Sequence, residues 1–332
     1  MAGRYAEQTE VQRAVNLSAT GMTDMGVAQS LNRPYATVNG WLRPGGLAAR
    51  LGLTANLEKE IEPPPEKLRI RVKASASPEG AVTRVLAIGD AHDCPSLSKD
   101  RFRWMGALAN ERGVDWIVQI GDFGSFDSLS SHIPNDTLAG KLKNPYHHDV
   151  QSLNEAMGAL SEGLAGHKPK LHCTMGNHER RVWLFENQRP EVSGMLTGEL
   201  LQTFADHGWT TTEYGEYFFL AGTGFVHAAL NRLGKTYGGK NSENTIANDA
   251  IFDHVIGHSH VKRDVRAPKL GPSKHVTILN LGCALPQGHV EEYIYHGALS
   301  GWWWGCCVLT LQGGQIVGVD ALPMSELERR FA

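Results

Sequence analysis

The sequence predicts an α/β fold around a sheet buried on both faces, preceded by a small all-α module. Three observations carry this. Apolar runs at 85–90 and 116–122 are too continuous for strands with one wet face, and a third strand is expected at 170–177. Between them lie amphipathic helices. One spans 99–112, with Phe102, Met105, Leu108 and Ala109 on a stripe and Gly113 as its stop. The other steps through Val150, Leu153, Met157, Leu160 and Leu164 by threes and fours. Residues 1–53, finally, are rich in Ala, Leu and Gly and show no strand-like alternation.

The elements follow in order. A first helix is expected over 10–19, closed by Gly21. Thr23 is a natural N-cap for a helix over 24–31 with Val27, Ala28 and Leu31 inward. Asn32 and Arg33 make a turn, and Pro34 suits the first turn of a third helix that buries Val38, Trp41 and Leu42. Three consecutive prolines among acids at 63–65 cannot continue a helix, so 56–80 reads as a semi-rigid linker. The alternation of basic and apolar residues at 67–73 predicts a short edge strand. Further strands are expected at 217–221, 224–227, 253–256 and 276–282, with a closing hairpin of 306–311 and 315–319 turning at Gly313-Gly314. The domain plan is therefore a module at 1–55, a linker at 56–80 and a larger domain at 81–332.

Composition narrows the function. The chain has 332 residues with a net charge of -3, 41% hydrophobic and 20% charged residues, values of a globular protein. A pI near 6.6 excludes a chain that is basic throughout, so any nucleic-acid contact must use a local patch. The five cysteines show no zinc-clip spacing and no disulfide framework. The first residues lack an apolar signal core, and the longest apolar run, 302–311, is about half a membrane span. These features predict a cytoplasmic protein with no membrane partner.

Ligand-type residues gather where strands end: Asp90 and His92, Asp122, Asn177 with His178 and Glu179, His227, and His258 with His260. At a strand end an i, i+2 pair shares one side, so Asp90 with His92, and His258 with His260, are each expected to converge on a point. The glycines before Asp122, Asn177 and His258 are expected to allow sharp turns and close approach. Imidazole, carboxylate and amide oxygen together suit Mn, Fe or Zn rather than Ca, and two sulfur-free ligand sets suggest two ions.

In order, Asp90-Ala-His92, Gly121-Asp122, Gly176-Asn177-His178-Glu179, His227 and Gly257-His258-Ser-His260 resemble the signature of the calcineurin-like metallophosphoesterase superfamily. The resemblance implies a four-layer αββα sandwich, two mixed sheets flanked by helices. It implies one metal on Asp90, His92, Asp122 and His260 and a second on Asp122, Asn177, His227 and His258, with Asp122 bridging. The cofactor it implies is two divalent or trivalent ions, manganese first, with iron or zinc as alternatives. It also implies a catalytic His178 that contacts the phosphate and protonates the leaving oxygen, while metal-activated water attacks in line.

The chain departs from that pattern in two places. The phosphoprotein-phosphatase branch carries a second Asp and an Arg after its Gly-Asp block; here the block continues Phe-Gly-Ser125-Phe126, and Asp127, shifted by two, is a poor substitute. The long stretch 125–148, with Pro134, His147 and His148, is expected to form a loop over the site. His132, His147, His148, His207, His289 and His296 read as surface histidines, and the tryptophans at 302–304 as core or interface. Arg180 and Arg181 suit either a phosphate contact or a solvated helix start.

Residues 27–42 resemble the helix-turn-helix of phage and bacterial DNA-binding proteins, which implies DNA contacts by Arg33, Tyr35, Thr37, Asn39 and Arg43. Five arginines against three acids leave only +2 before residue 56, a thin electrostatic footprint. The combined expectation is a binuclear phosphoester hydrolase acting on nucleic acid, as nuclease or end-processing phosphatase, in a bacterial or phage-infected cell. A phosphomonoesterase or cyclic-nucleotide-type diesterase on small molecules is the alternative, as is a DNA-binding regulator with the hydrolase domain as scaffold.

Overall fold

A computed structural model describes residues 2–19, 21–31, 33–44, 46–53, 81–131, 136–271, 274–291 and 301–332. The linker and the edge strand expected at 67–73 lie outside these, as does Asn32. The chain divides into two compact units, Met1–Arg69 and Ile70–Ala332.

The first unit is helical: α1 (Ala2–Ala19), α2 (Asp24–Ser30), α3 (Tyr35–Leu42) and the single turn α4 (Leu47–Arg50). The Thr23 hydroxyl accepts from the Gly26 N–H at 3.3 Å, the cap expected of it. Val11, Ala14, Val27, Ala28, Val38 and Trp41 form the core of this unit, so α2 and α3 turn inward the apolar residues expected of them.

In the second unit, β1 (Thr83–Ile88), α5 (Asp100–Arg112), β2 (Trp116–Gln119), the short α6 (Leu138–Lys141), α7 (Tyr146–Gly163) and β3 (Lys170–Thr174) come first. They lead to α8 (Asn177–Asn187), α9 (Met195–Asp206) and β4 (Trp209–Thr212). Next are β5 (Phe218–Leu220), β6 (Thr223–Phe225), α10 (Ser242–Asp249), β7 (His254–Ile256), β8 (Lys262–Pro268) and β9 (His275–Leu281). The hairpin β10 (Gly305–Gln312) and β11 (Gln315–Pro323) and the helix α11 (Met324–Phe331) close the chain.

The strands make two mixed sheets, ordered β11-β10-β1-β2-β3-β4 and β5-β6-β7-β9-β8. β1 through β4 run parallel, as do β6, β7 and β9, with antiparallel strands at the margins. Val85, Ala87, Val118 and Ile120 from one sheet meet Phe225, Val255, Leu279 and Leu281 from the other. The opposite face of the first sheet packs Leu86, Ile88 and Ile117 on α5 and α7, through Phe102, Met105, Leu153 and Met157. Each such buried side chain contributes about 1.5–3 kcal/mol. The outer face of the second sheet meets Ile246 and Ala247 of α10. This is the αββα sandwich, and it explains the unbroken apolar strands: both faces of β1 and β2 are covered.

The stretch 125–148 is not simply a loop. It holds a 3-10 turn at Asp127–Leu129 and α6, and His147 and His148 belong to the first turn of α7. Pro145 at the helix start accounts for this boundary.

Candidate metal centre

The parallel strands β1, β2 and β3 run out at Asp90, Asp122 and Asn177, and β6 and β7 of the other sheet at His227 and His258, the carboxyl ends where open sheets leave room for ligands. Three groups of side chains there are able to hold a metal ion: Asp90, His92 and His260; His92, Asp122 and His178; and Asp122, His227 and His258. Within each group the donor atoms all lie within 4.8 Å of one another.

The donors nearly touch. His92 Nε2 is 3.0 Å from His260 Nε2, and His260 Nε2 is 3.2 Å from Asp90 Oδ2. His227 Nε2 stands 3.0 Å from Asn177 Oδ1, 3.2 Å from His258 Nδ1 and 3.3 Å from Asp122 Oδ2. Separations of about 3 Å are the edges of a coordination polyhedron with bonds of about 2.1 Å. His227 Nδ1 donates to the Ile120 carbonyl at 3.0 Å, which leaves the Nε2 lone pair facing the carboxylate of Asp122. Lone pairs converging in a site where Asp90, Asp122, His92 and His227 are all buried fit a cation.

Burial opposes ionisation of Asp122, yet His227 and His178 hold it well below the usual carboxylate range. Burial likewise opposes charge on His227, but Asp122 and Asp90 outweigh it and push it up to about 9. A cation at His227 Nε2 would replace the proton that the carboxylates otherwise draw to that nitrogen. His92 is pushed well below the usual imidazole range, first by burial and then by His178.

Local backbone departs from the strand-end expectation. His92, Asp122, His258 and His260 all have left-handed backbone, with φ of 42°, 50°, 72° and 58°. Asp90 and His92 still meet in one group, but His258 and His260 separate: His258 joins Asp122 and His227, His260 joins Asp90 and His92. Non-glycine residues in this region carry about 1 kcal/mol or more of strain each, which surrounding packing must hold. Glycines 176 and 257 have another task than turning. A Cβ on Gly176 would strike the Asp122 carboxylate, and one on Gly257 the Asp90 carboxylate.

Glu179 locks the centre from below. Its carboxylate accepts from the N–H groups of Gly176, Asp122, Phe123 and Gly124 at 2.7–3.1 Å. The loop after β1 is pinned in turn by Asp93, which takes Lys99 Nζ at 2.8 Å, Arg101 Nη2 at 2.7 Å and Ser152 Oγ at 2.6 Å.

His178, second residue of α8, has its Nε2 3.9 Å from Asp122 Oδ2, and its backbone N–H donates to Asp122 Oδ1 at 2.8 Å. Its Nδ1 lies 2.8 Å from the Ser125 carbonyl. Motif spacing did not reveal Glu291, whose Oε1 is 3.6 Å from His92 Nδ1, or Trp302, whose ring meets His260 edge-on at 4.2 Å. Neither stands in a local pattern; the chain's return from β9 and toward β10 brings them in. Asp127 reaches Arg181 Nη1 at 2.9 Å, so this carboxylate does join an arginine beside His178, one supplied by α8 rather than by its own loop.

In the N-terminal unit, Arg33, Tyr35, Thr37 and Arg43 are exposed and Asn39 is half-buried. Arg33 makes a bidentate pair with Glu10 at 2.8–3.0 Å, and Asn39 Nδ2 reaches Asp24 and Tyr35 at 3.4 and 3.3 Å.

Residues 83–277 match the calcineurin-like phosphoesterase family. The chain belongs to that family. Its second unit is accordingly a metal-dependent phosphoesterase domain with Asp/His clusters able to bind metals. No match is found among curated protein sequences. Similar solved structures include a dimetal phosphatase from Danio rerio, at 10% identity, covering 73% of this chain and 96% of that one with a TM-score of 0.35. Purple acid phosphatase PPD1 from Lupinus luteus seeds has 13% identity and a TM-score of 0.37, covering 75% and 55%. Zinc-complexed Vps29 from Entamoeba histolytica has 12% identity and a TM-score of 0.33, covering 73% and 99%. These likenesses are distant, and family membership rests on the sequence match. Among the described residues no helix is long and apolar enough to cross a membrane.

Proposed function

We propose that this phosphoesterase hydrolyses phosphoester bonds of nucleic acid at a two-metal centre. Asp90, His92, Asp122 and His260 would hold one cation, and Asp122, Asn177, His227 and His258 the other. The observation that carries the reading is the adjacency of two metal-capable groups, Asp90 with His92 and His260, and Asp122 with His227 and His258, in which every member but His258 is buried. Two cations held there would neutralise charge at the phosphoryl oxygens and lower the pKa of a water nucleophile toward neutrality.

The chain's own residues do the rest. Both Asp90 oxygens accept from the His258 N–H, at 2.9 and 3.0 Å, which fixes the carboxylate against the opposite sheet. His178 meets the phosphoryl group with Nε2, its ring held by Nδ1 on the Ser125 carbonyl. To assist the leaving oxygen it takes a proton on Nε2 while Nδ1 keeps its own. The organisation we propose is a DNA-contacting module at 1–55, a linker at 56–80 and the hydrolase at 81–332. Nucleic acid as the substrate is supported by the short helical unit with exposed Tyr35, Thr37 and Arg43 on and beside α3.

The test incubates the metal-loaded chain, beside its His178→Ala variant, with labelled single- and double-stranded DNA carrying terminal phosphates. Shortened strands or lost terminal phosphates, absent with the variant, support the reading. Untouched DNA alongside turnover of small phosphoesters moves the substrate to small molecules.

A further inference from the structure

Two consecutive arginines follow the candidate catalytic histidine on α8, and they diverge. Arg180 lies over the Tyr214 ring, 5.1 Å from its centroid. Arg181 turns the other way, its side chain only 14% exposed. Its Nη1 donates to the Ser125 carbonyl at 2.8 Å and to Asp127 Oδ1 at 2.9 Å, and its Nη2 stands 3.1 Å from His178 Nε2.

Hydrogen-bond chemistry constrains that last contact. The Ser125 carbonyl can only accept, so the His178 proton sits on Nδ1; a guanidinium can only donate, so Nε2 accepts from Arg181. One arm of a cationic fork is thus directed at the nitrogen that faces Asp122, with a neutral imidazole as its acceptor there. An anionic oxygen is a far better partner for that arm.

The segment that holds the fork is itself specially shaped. Phe126 is fully buried with a left-handed φ of 47°. The Ser125 N–H donates to the Asp93 carbonyl at 2.8 Å, and its hydroxyl to the His92 carbonyl at 3.0 Å. This conformation aims one carbonyl at both His178 Nδ1 and Arg181 Nη1 and starts the turn that carries Asp127.

Resting on the hydrolase reading above, we propose that Arg181 clamps a terminal phosphate, with Asp127 as its positioning residue, and that the preferred substrate is therefore a phosphomonoester. A monoester dianion presents three non-bridging oxygens, one more than a diester. Where the monoester places its third oxygen, a diester places a second ester link, a poorer acceptor with a carbon substituent behind it. A guanidinium fork at that place favours the monoester by charge and by fit. Within the nucleic-acid reading this selects removal of end phosphates over strand cutting.

The experiment compares p-nitrophenyl phosphate with bis-p-nitrophenyl phosphate, which share a leaving group, on the metal-loaded full chain and on Arg181→Ala, Arg181→Lys and Asp127→Asn. Arg181→Ala is expected to lower the monoester-to-diester ratio of kcat/KM by about tenfold or more, the scale of a lost charge-assisted pair. Arg181→Lys restores the charge without the fork and recovers part of the ratio. Asp127→Asn raises KM for the monoester more than it lowers kcat. Calorimetric titration with inorganic phosphate is expected to show about tenfold weaker binding to Arg181→Ala at unchanged metal content. A parallel fall on both esters, or unchanged phosphate affinity, overturns the clamp. A wild-type chain that turns over neither ester counts against the hydrolase reading, and the phosphate titration then decides the clamp by itself.

Discussion

Glu179 holds Asp122 by its backbone: Oε2 accepts from the Asp122 N–H at 2.9 Å and from the Gly176 N–H at 2.8 Å, tying the ends of β2 and β3 together. Oε1 takes the N–H groups of Phe123 and Gly124. Glu179→Ala leaves four buried donors without this acceptor, at roughly 1–3 kcal/mol each before relaxation. We expect a loss of about 3–5 kcal/mol by urea unfolding in chelator, with a smaller loss for Glu179→Gln, which keeps one acceptor oxygen. Equal stability of wild type and Glu179→Ala would remove this carboxylate from the scaffold.

Metal and turnover should separate at neighbouring residues. Asp122→Ala is expected to lose metal, measured by elemental analysis after dialysis, together with activity. His178→Ala should keep its metal and lose about 10²–10³-fold in kcat. Near-normal turnover by His178→Ala would sink the role assigned to that ring.

The crossing of α5 and α7 offers a paired test. A Cβ on Gly163 would strike the Arg103 carbonyl, and one on Gly106 the Leu160 carbonyl, whereas a Cβ on Gly158 meets nothing within 4 Å. Gly163→Ala must push the helices apart and is expected to cost about 3 kcal/mol or more. Gly158→Ala, inside the same helix, should stabilise by about 0.5–1 kcal/mol because it removes backbone freedom from the unfolded chain. Thermal melts of both variants check the contrast; the same sign for both would contradict the packing.

Two buried histidines away from the metal-capable groups set an acid limit. Burial pushes His172, stacked on Phe218 with 3.7 Å between ring centroids, down to about 3. It pushes His254, stacked on Phe252 at 4.2 Å, down to about 4. Both folded values lie below the unfolded one, so the unfolded chain binds more protons. Their contribution is fully present above about pH 6.5 and is lost as pH falls from there toward the folded values. His172→Gln should therefore narrow its stability gap to wild type by about 2 kcal/mol between pH 7 and pH 5. A gap independent of pH would show that His172 ionises as easily folded as unfolded.

Much of the fold was legible because its signals are local. β1 and β2 are largely apolar runs, each of β1, β2 and β3 is followed within three residues by a ligand-type side chain, and the αL stop at Gly113 follows the helix it closes. Other elements were not legible. β8 alternates half-buried with exposed residues, and its membership of the second sheet comes from antiparallel pairing with β9. α9 and α10 lack a sharp local start signal and take their place by packing Phe204 and Ile246 into separate cores.

The candidate site divides along the same line. Residue type and order alone pointed to Asp90, His92, Asp122, Asn177, His178, His227, His258 and His260, because a side chain's donor chemistry travels with its identity. Tertiary structure decided how the chain carries out the split between His258 and His260 that the family resemblance implies, since left-handed backbone at both cancels the alternation that sequence spacing assumes. It also decided that Asp127 meets Arg181, 54 residues away, beside His178. Contacts of that range depend on how two chain ends are aimed by a shared sheet, and no local periodicity records the aim.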